Sequence, residues 1–110
     1  MSPELLAIAM IAGHFLGDYP LQGEFLATAK NRTSPIPGVP WYQALTAHAA
    51  IHGAIVAFAT GIWQLFFAEA IAHFITDDAK CNRRLTFNQD QAIHIACKIA
   101  WFTIAMHLAP

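Results

Sequence analysis

Four pairs of ionisable side chains recur at one spacing along this chain: His14 with Asp18, His48 with His52, His73 with Asp77, and Asp90 with His94. Residues four apart share a face of an α-helix, so each pair aims two side chains at one region of space. Imidazole nitrogens and carboxylate oxygens are ligands for zinc and similar divalent ions, and helical bundles with metal cores build their sites from such pairs on facing helices. The pattern therefore predicts metal binding, with His14, Asp18, His48, His73, Asp77, Asp90 and His94 as ligands and zinc as the favoured ion. His52, one turn deeper than His48, is the weakest candidate of the eight. Any one of these histidines alone is better read as a packed bundle residue; repetition on four helices favours the metal.

Three further kinds of residue surround these pairs. Glu69 continues the face of His73 and Asp77, and is the candidate catalytic residue, a general base for a metal-activated water. Its alternatives are a carboxylate that orients an imidazole and a buried neutral carboxyl. Lys80, Gln22 and Gln91 are the substrate-binding candidates, Lys80 for a phosphate and the glutamines through amide hydrogen bonds. Capping, surface and charge-flanking roles compete for all three. Cys81 and Cys97 lack zinc-finger or thioredoxin spacing and read as reduced.

The elements that must position these side chains are helices. A first helix spans residues 3–17, with Ser2 as cap, Pro3 in the first turn and Glu4 complementing the dipole. Residues 21–30 suggest a short amphipathic surface helix, and residues 31–40 a turn-rich loop with three prolines. A second long helix starts near Trp41 and its partner near Ile62, with the reversal at Gly61. The competing reading, one helix from Trp41 to Lys80, would be roughly 60 Å long. After a polar connection, Asn88 is the expected cap of a last helix over residues 89–107, which sets Asp90, His94 and Lys98 on one face.

With 110 residues the chain has room for one domain. Hydrophobic residues make up 56% and charged residues 12%, and the mean hydropathy is +0.43, which favours a membrane as solvent. The expected fold class is all-α: four short transmembrane helices in a bundle with a polar His/Asp core near the cytoplasmic face. The first segment lacks the basic start of a signal peptide and reads as a mature helix. Lys30, Arg32, Lys80, Arg83 and Arg84 fall in two loops on one side, which by the positive-inside rule are cytoplasmic. Both termini then lie on the non-cytoplasmic side of a bacterial inner membrane. Each leg is shorter than the usual hydrocarbon thickness, so the bundle should thin the bilayer or oligomerise. Trp41, Trp63 and Trp101 read as interfacial belt residues, and His107 as interfacial at the far end. A net charge of −1 with no basic, aromatic patch gives no sign of nucleic acid.

The combination of motifs resembles domain-of-unknown-function family 3307, grouped as bacterial and phage membrane proteins. Its pattern is a block H-x3-D-[FY]-x-[LF]-Q, a later lone histidine, then H-x3-D-x2-K and D-Q-x2-H. Here these are HFLGDYPLQ (His14 to Gln22), His48, HFITDDAK (His73 to Lys80) and DQAIH (Asp90 to His94). The resemblance covers most of the chain and implies no activity. A weaker likeness, on histidine and aspartate pairs in short membrane helices, is to metal-dependent hydrolases of the bacterial inner membrane, whose proline-aspartate motif is missing here.

Two functions follow as expectations. The first is a membrane-embedded metal-dependent hydrolase acting on an ester, phosphoester or amide at the cytoplasmic face. The second is a small non-enzymatic membrane factor of phage or prophage origin whose polar core holds its helices in register. The lipid bilayer, a second copy of the chain and a host membrane protein are the expected partners. Ion movement is the least supported, because Lys98 and His107 alone make no path.

Overall fold

The structure is a computed structural model and describes residues 1–108. Five helices account for its regular structure: α1 (Pro3–Asp18), α2 (Gly23–Ala29), α3 (Trp41–Thr60), α4 (Gln64–Cys81) and α5 (Phe87–Leu108). Local chemistry sets their ends. The Ser2 hydroxyl accepts the Leu5 N–H at 3.1 Å ahead of Pro3, satisfying one free donor of α1. Gly61 ends α3 in the left-handed region (φ 73°), its N–H donating to the Ala57 carbonyl at 2.8 Å. The chain reverses there into α4. At α5 the expected cap, Asn88, is pre-empted by a capping box one turn wide. The Gln89 N–H donates to Thr86 Oγ1 at 3.1 Å, and the Thr86 N–H donates to Gln89 Oε1 at 2.9 Å.

Helix α1 packs on α3 and α5, and α4 packs on the same two, so the four long helices close into a ring, with α2 against α3. They run up, down, up and down. Gly53 lets α3 and α4 approach closely, since a Cβ there would lie 2.6 Å from the Phe66 carbonyl oxygen. Toward the Gly61 end the ring buries Leu6, Met10, Val56, Leu65 and Ala105, flanked by Trp101, Phe102 and Met106. Toward the other end it buries histidines, carboxylates and two lysines. Cys81 and Cys97 are free thiols, and His107 is exposed.

The four expected transmembrane spans are overturned: among the described residues no helix is long and apolar enough to cross a membrane. Helix α1 has 16 residues and α2 has seven. The others interrupt their apolar runs, α3 at His48 and His52, α4 at Glu69, His73, Asp77, Asp78 and Lys80, α5 at Asp90, His94 and Lys98. A mean hydropathy counts apolar residues without regard to such breaks. The expected inner-membrane location, with both termini on the non-cytoplasmic side and the polar core at a cytoplasmic face, rested on those spans and falls with them. Much of the apolar composition lies on the outer faces of the ring, as at Ile8, Phe58, Trp63 and Ile75, while a cluster of histidines, carboxylates and lysines faces inward.

Candidate metal centre

The last two turns of α1, the first half of α3, the second half of α4 and the first turns of α5 meet at the polar end. Asp18 Oδ1 is the hub. It lies 2.8 Å from His52 Nε2, 3.3 Å from His48 Nε2 and 3.7 Å from His73 Nε2, and the Nε2 atoms of His48 and His73 are 3.2 Å apart. Two ligands held at about 2.1 Å by a tetrahedral zinc ion lie about 3.4 Å from each other. The observed separations bracket that edge length. The three imidazoles are buried and the Asp18 side chain is 12% exposed. Gly17 makes room for this quartet, because a Cβ there would lie 2.7 Å from the His52 ring.

A second group, Asp77, Asp90 and His94, adjoins the first. His94 Nε2 lies 3.2 Å from Asp90 Oδ1, and His48 Nε2 lies 3.5 Å from Asp77 Oδ2, which links the two groups. The rings of His52 and His73 stack at 3.8 Å, and those of His73 and His94 at 4.0 Å. His14 stands at the edge. Its Nε2 donates to Gln91 Oε1 at 2.9 Å, while the Gln91 amide donates to Asp18 Oδ2 at 2.9 Å and Asp90 Oδ2 at 3.2 Å. His14 thus positions Gln91, which ties two candidate carboxylate ligands together.

Glu69 lies behind His73, away from the hub. Its Oε1 is 3.3 Å from His73 Nδ1 and also accepts from Lys98 Nζ, and its Oε2 accepts the Trp101 indole N–H at 2.7 Å. A carboxylate that accepts the Nδ1 proton leaves Nε2 with its lone pair, the tautomer that a metal requires.

Sequence reasoning placed Lys98 on the face of Asp90 and His94 without giving it a role, and left Trp101 and Lys30 out of this network. Lys98 shares a face with Asp90 and His94, and Trp101 follows it by one turn, so the helical period could have joined both to Glu69. Lys30 carried no such signal. It follows α2, is buried, and donates to Asp77 Oδ2 at 2.6 Å and to Gln22 Oε1. His52, ranked weakest from sequence, makes the shortest contact to the hub.

Electrostatics at several of the candidate ligands favour the charge states that a metal would need. Burial pushes the His73 pKa below its ordinary value, and the neighbouring His52, His94 and His48 push the same way. Burial lowers His52 to about 4 against the opposing pull of Asp18. It also lowers His14, in part offset by Gln91. Burial by itself would raise Asp18, but its hydrogen bonds to His48, His52 and Gln91 outweigh that and hold it well below the usual carboxylate range. Counted as ionised, Asp18, Glu69, Asp77 and Asp90 face only two buried ammonium groups, Lys30 and Lys98. Burying unmatched charge is costly, and one divalent cation would balance it. Asp90 Oδ1 is buried with no hydrogen bond beyond its 3.2 Å approach to His94 Nε2, and the Nδ1 atoms of His14, His48 and His52 are buried without a partner.

A small cavity of about 120 Å³ opens onto this core and is lined by Asp18, Gln22, Lys30, Asp77, Lys80 and Gln91 among others. All three substrate-binding candidates, Gln22, Lys80 and Gln91, line it, and Glu69 does not. Nothing among curated proteins and nothing among solved structures matches the chain. A family model does, that of a protein of unknown function (DUF3307), over residues 5–109, which is nearly the whole chain. The chain with this His/Asp core belongs to the DUF3307 family.

Proposed function

We propose that the polar end of the bundle holds one divalent ion, zinc favoured, on Asp18, His48, His52 and His73, with room for a second at Asp77, Asp90 and His94, and that the protein is a hydrolase. One observation carries the reading: three imidazole Nε2 atoms from two helices converge within 2.8–3.7 Å of one carboxylate oxygen from a third, close to the edge length of a tetrahedral zinc shell. Glu69 fits the part of a positioning residue, since it holds His73 by its other nitrogen and lies off the cavity. A zinc ion there would supply Lewis acidity and a water of lowered pKa. Asp77, Asp90 and Gln91 line the approach and can orient that water and the scissile ester, phosphoester or amide.

A second reading is favoured by the Lys30–Asp77 ion pair, which already neutralises one candidate ligand. In it the polar core is a hydrogen-bonded register device with no turnover. Metal analysis of purified protein, combined with a panel of chromogenic esters and phosphoesters, separates the two. Near-stoichiometric zinc that disappears in His73→Ala, with hydrolysis that is lost to a chelator and restored by zinc, is the expected result. Background metal in a folded wild-type protein would remove the hydrolase reading.

A further inference from the structure

We infer that the cavity at the mouth of this core takes the phosphate group of a phosphomonoester, and only when the metal position is filled; the inference rests on the metal-centre reading above. At about 120 Å³, the cavity is well below the roughly 300 Å³ at which pockets for whole drug-sized ligands begin. It admits one compact group while the rest of the substrate stays outside.

Its donors suit a tetrahedral oxyanion. The Lys30 ammonium has three protons, of which Gln22 Oε1 and Asp77 Oδ2 take two. One is left for a ligand in a buried position, where a charge-assisted hydrogen bond is strong. Lys80 also lines the cavity, with its Nζ 6.0 Å from the centre of the Phe87 ring. Two ammonium groups at a cavity of this size match a doubly charged phosphate better than a neutral ester or amide carbonyl.

The same lining sets the metal dependence. Asp18, Asp77 and Asp90 oppose Lys30 and Lys80, so the metal-free cavity is net negative and repels an anion. One divalent ion reverses that sign. The Oδ1 of Asp90, a residue of this lining, is buried with no hydrogen bond beyond its 3.2 Å approach to His94 Nε2, and a cation beside the phosphate would satisfy it. In the hydrolysis that follows, the water oxygen bonds to phosphorus and the P–O bond to the organic group breaks. One water proton ends on the departing alcohol oxygen and the other stays with the phosphate.

Calorimetric titration with inorganic phosphate tests this on protein loaded with zinc and freed of excess, beside the chelated protein. The loaded form should bind at least about tenfold more tightly. Lys80→Ala should weaken phosphate binding to the loaded form by about tenfold, the worth of one charge-assisted contact, with zinc content unchanged. Glycerol phosphate should compete if the ester is soluble, and dihexanoyl phosphatidic acid if the phosphate is a lipid headgroup. Competition by neither, equal phosphate affinity with and without zinc, or no effect of Lys80→Ala would each overturn the inference. Zinc-replete protein that ignores phosphate defeats this inference alone, whereas protein that takes up no zinc defeats the metal centre and this inference with it.

Discussion

Toward Gly61, helices α1, α3, α4 and α5 bury Leu6, Met10, Val56, Leu65 and Ala105 against one another; a few turns away the same helices bury His48, His52, His73, Asp77, Asp90 and His94. The first set gains from leaving water, about 25 cal/mol for each Å² of apolar surface. The second set loses by it, and is tolerated only because ion pairs and hydrogen bonds return most of the desolvation cost. The rings and carboxylates also leave polar atoms without partners, which the apolar end has no occasion to do. One end therefore supplies stability, and the other spends part of it on a buried polar arrangement that could hold a metal ion. Lys98, Glu69 and Trp101 stand where the two regions meet.

That contrast can be broken most severely at the junction. Lys98→Met would leave Glu69 as a buried anion without its cation, and the loss should be about 3–5 kcal/mol in urea unfolding of the chelated protein. A loss below about 1 kcal/mol would mean that the pair does not hold the two ends together. At the apolar end, Met10→Ala should cost about 2–5 kcal/mol through the cavity it opens. Zinc affinity should change little, because Met10 lies in the apolar cluster and is not one of the candidate ligands. A parallel loss of zinc affinity would show that the two ends are not separable.

Acid should act on the polar end alone. His52 is pushed down to about 4 in the folded chain from an ordinary value of 6.5, so between those values the unfolded chain binds the proton and the folded one does not. Stability is full above pH 6.5 and falls as the pH drops toward 4, by about 3 kcal/mol from His52 at about 1.4 kcal/mol per unit. His14 and His73 shift in the same direction, and Asp18 extends the loss below its ordinary value of 3.8. Unfolding of the chelated protein across pH 4 to 7 measures this, and a flat profile would contradict it. The smallest effect is expected in the zinc affinity of Glu69→Gln, which keeps the shape but weakens the grip on His73, whereas its stability should fall as in Lys98→Met because Lys98 loses its buried anion. Zinc affinity should fall by about 10–100-fold, the usual range for the partner of a metal-bound imidazole. An unchanged affinity would remove Glu69 from the site.

How much of this was legible depended on whether a signal was periodic. The pairs at i, i+4 are a direct reading of helical geometry, and so was the reversal at Gly61, where only a residue tolerant of positive φ ends α3 without strain. Lys30 was illegible because its contact to Asp77 crosses 47 positions and no repeat announces it. Trp101 read as a belt residue because an indole beside an apolar run has two common uses, and only the tertiary approach of α5 to α4 selects the hydrogen bond to Glu69. Thr86 was passed over as a cap because Asn88 is an equally good cap residue by type, and the reciprocal bond to Gln89 decides between them. The solvent was misread for a different reason. Amount of apolar residue over the chain and apolar length within one helix are separate quantities, and no described helix is both long and apolar enough to cross a membrane.

X-ray absorption at the zinc edge, on purified protein loaded with one equivalent, addresses the polar end most directly. The expected shell holds nitrogen and oxygen only, at about 2.0–2.1 Å, with the scattering pattern of three imidazoles that falls to two in His48→Ala. Sulfur at about 2.3 Å from Cys81 or Cys97, or a shell without imidazole, would contradict the assignment of Asp18, His48, His52 and His73 as the metal ligands.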